Sequence, residues 1–155
     1  HEGPMRRALS ALKYERDLTR AGPLGRALAP HVALASFDLA VAVPLHRRRQ
    51  RFRGFNQSDV MLREALRAAG RPPPAPVLKR SRHTTPQVGL PAKLRRKNVE
   101  DAFVIRPTKK FPLRGRRVLL FDDVVTTGAT LQAAAAPLRA AGAQVSFLAL
   151  LQALA

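Results

Sequence analysis

The stretch VLLFDDVVTTGAT, residues 118–130, decides the fold of this chain. It begins with four apolar residues, continues with two adjacent aspartates, and ends in a run of Thr and Gly. The pattern predicts a buried strand from Val118 to Phe121 that ends at the aspartates, and a helix that begins near Gly128 or Ala129. The residues between them are then a loop at the carboxyl end of a parallel strand, where open α/β sheets bind ligands.

This loop has the composition of a phosphate site. Hydroxyl groups donate hydrogen bonds, Gly128 lets the backbone turn tightly around an anion, and the first N–H groups of the helix favour negative charge. The candidate phosphate-binding residues are Thr126, Thr127, Gly128, Ala129 and Thr130.

The acidic pair, Asp122 and Asp123, repels phosphate and therefore needs another partner group. Carboxylates accept hydrogen bonds from vicinal hydroxyls such as a ribose 2′-OH and 3′-OH. Together with the phosphate loop, the pair indicates a ribose 5-phosphate. The alternative is that the aspartates are turn residues and Thr127 is a helix cap, but the preceding buried strand and the following helix favour a ligand site. Neither a P-loop nor a GxGxxG fingerprint is present.

The rest of the chain alternates strands with helices. Apolar residues at helical spacing predict one or two helices near the N-terminus, Asn56 is a predicted helix N-cap, and Gly70 ends that helix. Strands are predicted at 38–44, 77–78, 102–105 and 144–150, and LHRRRQRFRGF (residues 45–55) is predicted as a basic loop. This order predicts an open parallel sheet flanked by helices, with right-handed crossovers.

Length and composition point to one cytoplasmic domain. The chain has 155 residues, no run of apolar residues that could cross a bilayer, and no cysteine. Disulfides and thiolate metal sites are therefore excluded, and the four histidines lack a ligand-like spacing. We expect no metal site formed by protein groups alone.

The net charge favours a polyanionic partner. Lys and Arg number 28 against ten Asp and Glu, a formal charge of +18. A basic segment that also contains Phe52 and Phe55 is typical of single-stranded nucleic-acid binding, unless the rings pack into the core. Its arginines could equally serve a phosphorylated small ligand. The candidate nucleic-acid-binding residues are Arg47, Arg48, Arg49, Arg51 and Arg53.

The motif at 118–130 resembles the phosphoribosyl pyrophosphate (PRPP) motif of type I phosphoribosyltransferases. Three further segments resemble the ComF family of competence-associated, phosphoribosyltransferase-like proteins: RRALSALKYERD (6–17), VPLHRRRQRFRGFNQS (43–58) and TTPQVGLPAKLRRKNVEDAF (84–103). The resemblance covers nearly the whole chain. It implies a single domain over 1–155, with an N-terminal helical segment (1–36) and an α/β core (37–155).

The resemblance also assigns roles by position. It implies that Asp122 and Asp123 are the catalytic pair that holds the ribose hydroxyls, and that 126–130 wraps the 5-phosphate. It places the pyrophosphate at Pro44, Leu45 and His46, with Mg²⁺ bridging the oxygens of PRPP near the acidic pair. Residues 80–98 occupy the place of the mobile catalytic loop, whose candidate cations are Arg80, Arg82, Lys93, Arg95, Arg96 and Lys97.

The family's Cys-rich, zinc-binding segment has no counterpart in this sequence, and no hood that selects a nucleobase is recognisable. The resemblance therefore implies a PRPP-binding protein linked to DNA uptake in natural transformation, with phosphoribosyl transfer to an unknown acceptor and with other competence proteins as partners. The alternative is a non-enzymatic competence factor that keeps the fold and binds single-stranded DNA.

Overall fold

The computed structural model describes residues 3–81 and 101–152. Within these two ranges, five strands form two sheets. A parallel sheet has the order β1-β4-β5, and a short antiparallel sheet pairs β2 with β3. The strands are β1 (Leu39–Ala42), β2 (Leu78–Arg80), β3 (Phe103–Ile105), β4 (Arg117–Val125) and β5 (Gln144–Gln152).

Helices cover both faces of the parallel sheet. The α-helices are α1 (Pro4–Ser10), α2 (Ala21–Leu34), α3 (Arg47–Arg53), α4 (Gln57–Ala68) and α5 (Ala129–Ala140); a π-helical turn (Ala11–Glu15) and a 3-10 turn (Leu18–Arg20) join α1 to α2. As predicted, Asn56 caps α4, because its side chain accepts a hydrogen bond from the Ser58 N–H at 3.2 Å. Gly70 follows the helix with a positive φ of 64°.

β4 is the central strand, and its alternating side chains divide the core into two halves. Val118 and Leu120 pack with α5 on one face, whereas Leu119 and Phe121 pack with α2 and α4 on the other. Because β4 is buried on both faces, its sequence from Val118 to Phe121 is a continuous run of apolar residues. This arrangement explains why the acidic pair stands at the end of the most hydrophobic strand.

β4 is longer than the sequence pattern predicts. The pattern ends the strand at the aspartates, but the strand continues through Val125. The reason is β5, which extends to Gln152 and pairs alongside, with Asp122 opposite Ala149 and Val125 opposite Gln152. The ligand loop is correspondingly shorter, and the acidic pair lies within the strand.

The predicted basic loop at 45–55 is also wrong, because residues 47–53 form α3. His46 caps this helix by accepting the Arg48 N–H at 3.2 Å, and Gly54 ends it with a φ of 86°. Local capping therefore outweighs the repulsion among neighbouring arginines. The brief strands predicted near 78 and 103 pair with each other instead of joining the parallel sheet.

No helix in the two described ranges is long and apolar enough to span a membrane.

We predict that Gly25→Ala destabilises the protein, because α2 and α4 touch at this glycine. A Cβ at position 25 would lie 2.5 Å from Glu64 Cβ and 2.8 Å from the Met61 carbonyl oxygen. The expected loss in the free energy of unfolding is about 1–3 kcal/mol, measured by urea denaturation. Gly22→Ala in the same helix is the control, since there the new Cβ meets only the flexible Arg26 side chain. Equal stability of the two variants would contradict the prediction.

Candidate functional site

Three parts of the chain meet at the carboxyl edge of the parallel sheet. The Val43 N–H donates to the Phe121 carbonyl at 2.8 Å, which holds the end of β1 against β4. Asn56 Nδ2 donates to the Val43 carbonyl at 3.0 Å, which adds the N-terminus of α4. The predicted ligand loops after β1 and β4 are therefore adjacent, and the acidic pair stands between them.

Asp122 is half-buried and hydrogen-bonded within this edge. The Ser58 hydroxyl donates to Asp122 Oδ1 at 3.2 Å, and the Asp123 backbone N–H donates to the same oxygen at 2.9 Å. Ser58 is itself buried at the start of α4. These two donors orient one face of the carboxylate, so Asp122 is a pre-positioned hydrogen-bond acceptor.

Asp123 is buried, with 5% of its surface exposed, and it is paired with a cation that the sequence did not predict. Lys13 Nζ lies 2.8 Å from Asp123 Oδ2, and both side chains are largely shielded from solvent. Lys13 belongs to the π-helical turn, a rare element that frequently occurs at functional sites. Lys13 lies in the RRALSALKYERD segment, but no motif in that segment predicts a contact between its lysine and the acidic pair.

The two carboxylates repel each other in this environment. Burial, followed by the neighbouring Asp123 charge, raises the pKa of Asp122 to about 7, although the hydrogen bonds from Asp123 and Ser58 and the charge of Lys13 oppose the rise. Asp122 therefore takes up a proton at a higher pH than an ordinary aspartate does.

The predicted phosphate loop leads into the start of α5. Gly128 has a φ of 73° and is the N-cap of α5, and the Thr127 hydroxyl oxygen accepts the Ala129 N–H at 3.4 Å. Thr126 and Thr127 are exposed, while Gly128, Ala129 and Thr130 are partly buried. The first turn of α5 contains no acidic residue, so its N–H groups and dipole favour an anion.

A cationic cavity of about 200 Å³ lies beyond the end of β1. Of the three residues predicted to bind pyrophosphate, Pro44 and Leu45 line this cavity, whereas His46 caps α3. The polar lining consists of Arg47, Gln50, Lys79, Arg80 and Arg106. Of these cations, Lys79 and Arg106 were not predicted, because β2 and β3 bring them together from distant parts of the sequence.

Arg80 is the most buried of these cations, with 8% of its surface exposed. Burial, and next the charge of Arg49, lower the pKa of the Arg80 guanidinium, while Asp122 opposes this shift. The cavity therefore holds closely spaced positive charge next to the acidic pair, and an anion there would relieve the repulsion. The other predicted loop cations, residues 82–97, lie outside the described residues.

The five arginines predicted to bind nucleic acid all lie on α3 but differ in exposure. Arg47, Arg48 and Arg51 are exposed, whereas Arg49 and Arg53 are half-buried. The two phenylalanines also differ, since Phe52 is 73% exposed and Phe55 packs against the core. The Phe52 ring is therefore available for stacking on a base, whereas the Phe55 ring is part of the core. The two alternatives from the sequence, stacking and core packing, thus each apply to one ring.

The N-terminal segment adds a second exposed ring beside α3. Tyr14 is 70% exposed, and the Arg53 guanidinium lies 5.5 Å from the centre of its ring. Arg16 lies 5.6 Å from the Phe52 ring and donates to the Phe52 carbonyl. We call Tyr14, Arg16, Phe52 and Arg53 the aromatic–arginine surface.

Several bacterial proteins resemble the chain in sequence. Competence protein F of Haemophilus influenzae is 42% identical over 108 residues, which are 69% of this chain and 46% of that protein. The DNA utilization protein YhgH of Escherichia coli K12 is 35% identical over 135 residues, which are 83% of this chain and 58% of that protein. This chain is a homologue of both. The resemblance to the ComF family is thereby confirmed, although the chain spans only about half the length of these relatives. No family model matches it.

Solved structures confirm the predicted fold class. The glutamine PRPP amidotransferase of Bacillus subtilis aligns with a TM-score of 0.60 and 19% identity, over 92% of this chain and 30% of that one. The UMP synthase of Leishmania donovani aligns with a TM-score of 0.51 and 17% identity, over 94% of this chain and 29% of that one. The homologue of competence protein F therefore has the fold of the type I phosphoribosyltransferases.

We predict that Asp122 makes the protein less stable as the pH rises. Its pKa is about 7 in the folded state and 3.8 ordinarily, so the unfolded chain releases this proton first. Protonated Asp122 therefore contributes to the free energy of unfolding. This contribution is complete below about pH 4 and is lost by about pH 7. Asp122→Asn should flatten this part of the profile in urea midpoints measured from about pH 4 to 8. Asp59→Asn on α4 is the control, and an Asp122→Asn profile that follows the wild type would contradict the prediction.

Proposed function

We propose that this chain binds PRPP, or a related ribose phosphate, at the carboxyl edge of β1 and β4. The observation that carries the proposal is the position of the acidic pair between two places that favour anions. On one side lies the N-terminus of α5, and on the other the cationic cavity. A ligand with two hydroxyls between two phosphate groups matches this order of charges.

Each part of the site has a distinct role in this proposal. Thr126–Thr130 and the start of α5 bind the 5-phosphate, and Asp122 and Asp123 accept the ribose hydroxyls. The cavity residues Lys79, Arg80 and Arg106, with the loop at Pro44–His46, neutralise the pyrophosphate. The amidotransferase to which the fold is similar is named for PRPP, which supports this choice among ribose phosphates.

Mg²⁺ fits this site as a partner of the ligand rather than of the protein. Within residues 3–81 and 101–152, no group of three His, Asp or Glu side chains is arranged to hold a metal. Mg²⁺ prefers oxygen ligands and usually keeps several waters, with substrate phosphates completing its shell. When bound with the pyrophosphate, the ion would neutralise charge on the leaving group. The protein's own contribution there is the cationic lining of the cavity.

Phosphoribosyl transfer is the reaction that such a site supports. The bond between ribose C1 and the pyrophosphate oxygen breaks, the acceptor's nucleophile bonds to C1, and the acceptor loses a proton. Positive charge develops at C1, as it does in glycoside hydrolysis. The carboxylates hold the ribose by its hydroxyls and place negative potential near this cation, while the cavity stabilises the leaving pyrophosphate.

We further propose that the binding serves competence or DNA uptake. The relatives named competence protein F and DNA utilization protein YhgH support this role. Other competence proteins and the acceptor are then the partners still to be identified, and we expect them in the cytoplasm.

A second candidate function is the binding of single-stranded DNA without catalysis. The aromatic–arginine surface favours it, because bases stack on exposed rings and arginines neutralise phosphates. The exposed arginines of α3 extend this surface, and the net charge of +18 acts in the same direction. The two functions are compatible, since this surface and the acidic pair are different parts of the molecule.

We predict that Asp122→Asn combined with Asp123→Asn abolishes PRPP binding. Calorimetry with Mg²⁺ and PRPP should give a saturable signal for the wild type and at least a roughly tenfold weaker affinity for the variant, because two charged acceptors are removed. Asp59→Asn with Asp38→Asn, two acids outside the site, is the control. Circular dichroism checks that all variants fold.

No signal from folded wild-type protein at millimolar PRPP would contradict the proposal. Pyrophosphate release with a panel of acceptors then separates an enzyme from a binder. Release that depends on an acceptor and on the acidic pair supports transfer. PRPP binding without pyrophosphate release for any acceptor of the panel favours a protein that binds PRPP without transfer.

We predict that DNA binding depends on α3 and on its exposed ring. Fluorescence anisotropy with labelled oligo-dT should show an affinity that falls with salt. Replacing Arg47, Arg48 and Arg51 by Ser should reduce the log–log slope by roughly 0.7 for each phosphate that the protein no longer neutralises. Phe52→Ala should weaken binding about fivefold or more at constant slope, because the ring no longer stacks on a base.

Replacing Arg63, Arg67 and Arg139 by Ser is the charge-matched control for this experiment. These three arginines lie on α4 and α5, and their replacement removes the same number of positive charges. An unchanged slope for the α3 variant would exclude this helix as the DNA surface.

A further inference from the structure

Lys13 reaches the acidic pair from the N-terminal helical segment. Its ammonium lies 2.8 Å from Asp123 Oδ2, its side chain is 16% exposed, and that of Asp123 is 8% exposed. An exposed ion pair contributes little, whereas removal of one partner from a shielded pair leaves an uncompensated buried charge. Among the described residues, no other cation makes an ion pair with Asp122 or Asp123. Lys13 is thus the ion-pair partner of Asp123, while Asp122 interacts through its charge with Arg80.

The fold holds Lys13 in this position firmly. Leu9 and Leu12, which precede it, are buried in the core with α2 and α4. The π-helical turn ends at Arg16, which has a φ of 56°, and Arg16 donates to the Phe52 carbonyl of α3. The turn is thus anchored on both sides of Lys13. The backbone thus places Lys13 next to Asp123, and the lysine side chain is itself only 16% exposed.

The pair accepts hydroxyl hydrogen bonds most strongly when its carboxylates are ionised and hold a fixed orientation. Asp122 is oriented by Ser58 and by the Asp123 N–H. The side chain of Asp123 has Lys13 as its charged partner. Without that cation, repulsion within the pair would favour protonation or rotation of one carboxylate.

We infer that Lys13 is a positioning residue for the ribose hydroxyl site, where its ion pair with Asp123 fixes the Asp123 carboxylate in place. The inference rests on the proposed function and deepens it, because it makes recognition of the hydroxyls depend on the N-terminal helical segment. Phosphate recognition at the start of α5 does not involve Lys13.

This division of roles defines the experiment. Ribose 5-phosphate and 2-deoxyribose 5-phosphate share the phosphate and differ in one hydroxyl. We expect wild-type protein to bind the ribose form more tightly, and Lys13→Met to reduce the ratio of the two affinities about tenfold. Binding of the deoxy form should change little. A merely structural effect of the substitution would weaken the binding of both ligands alike, and the ratio of the two affinities would stay unchanged.

Two further variants complete the test. Lys13→Arg keeps the charge and should retain most of the selectivity, whereas Lys109→Met removes an exposed lysine elsewhere and should have no effect. If Lys13→Met does not fold, Lys13→Gln serves in its place, since it lacks the charge but can donate a hydrogen bond. Ribose selectivity in the wild type that persists without the charge at position 13 would overturn the inference. Failure of the wild type to bind ribose 5-phosphate would also overturn the inference, whereas failure to bind PRPP as well would overturn the proposed function.

Discussion

Two adjacent carboxylates at the carboxyl end of the central strand impose the main constraint on this structure. The strand is buried on both faces, so Asp122 and Asp123 cannot both be relieved by water. Burial and their mutual repulsion raise the pKa of Asp122 to about 7, and the chain counters this with Ser58 on α4 and with Lys13 on the π-helical turn. The positions of the N-terminal segment and of α4 therefore matter for electrostatics as well as for packing.

Positive charge is concentrated around this acidic pair. The cavity beyond β1 collects cations from α3, β2 and the residue after β3, and the start of α5 adds the helix dipole. These charges repel one another in the free protein, and the neighbouring Arg49 charge contributes to the lowered pKa of Arg80. The phosphate groups of a ligand would reduce the repulsion among these cations, and its hydroxyl groups would donate hydrogen bonds to the two carboxylates. This complementarity is the physical basis of the proposed ribose phosphate site.

Much of the fold could be predicted because its determinants are local. The Asn56 cap, the apolar run before the aspartates, and Gly128 before α5 each depend on a few neighbouring residues, and each was predicted at the correct position. The errors have a different origin. The end of β4 depends on pairing with β5, and the formation of α3 depends on His46 and Gly54 as caps in a segment whose charge resembles that of a loop.

The sequence by itself therefore determined the fold class and the positions of the acidic pair and of the Thr/Gly loop before α5, because periodicity and spacing encode local geometry. Only the tertiary structure decided which distant groups meet there. Lys13 faces Asp123, Lys79 and Arg106 share a cavity, and Tyr14 lies beside the arginines of α3. Such contacts depend on how helices pack on the sheet, and packing sums many weak interactions between residues far apart in the chain.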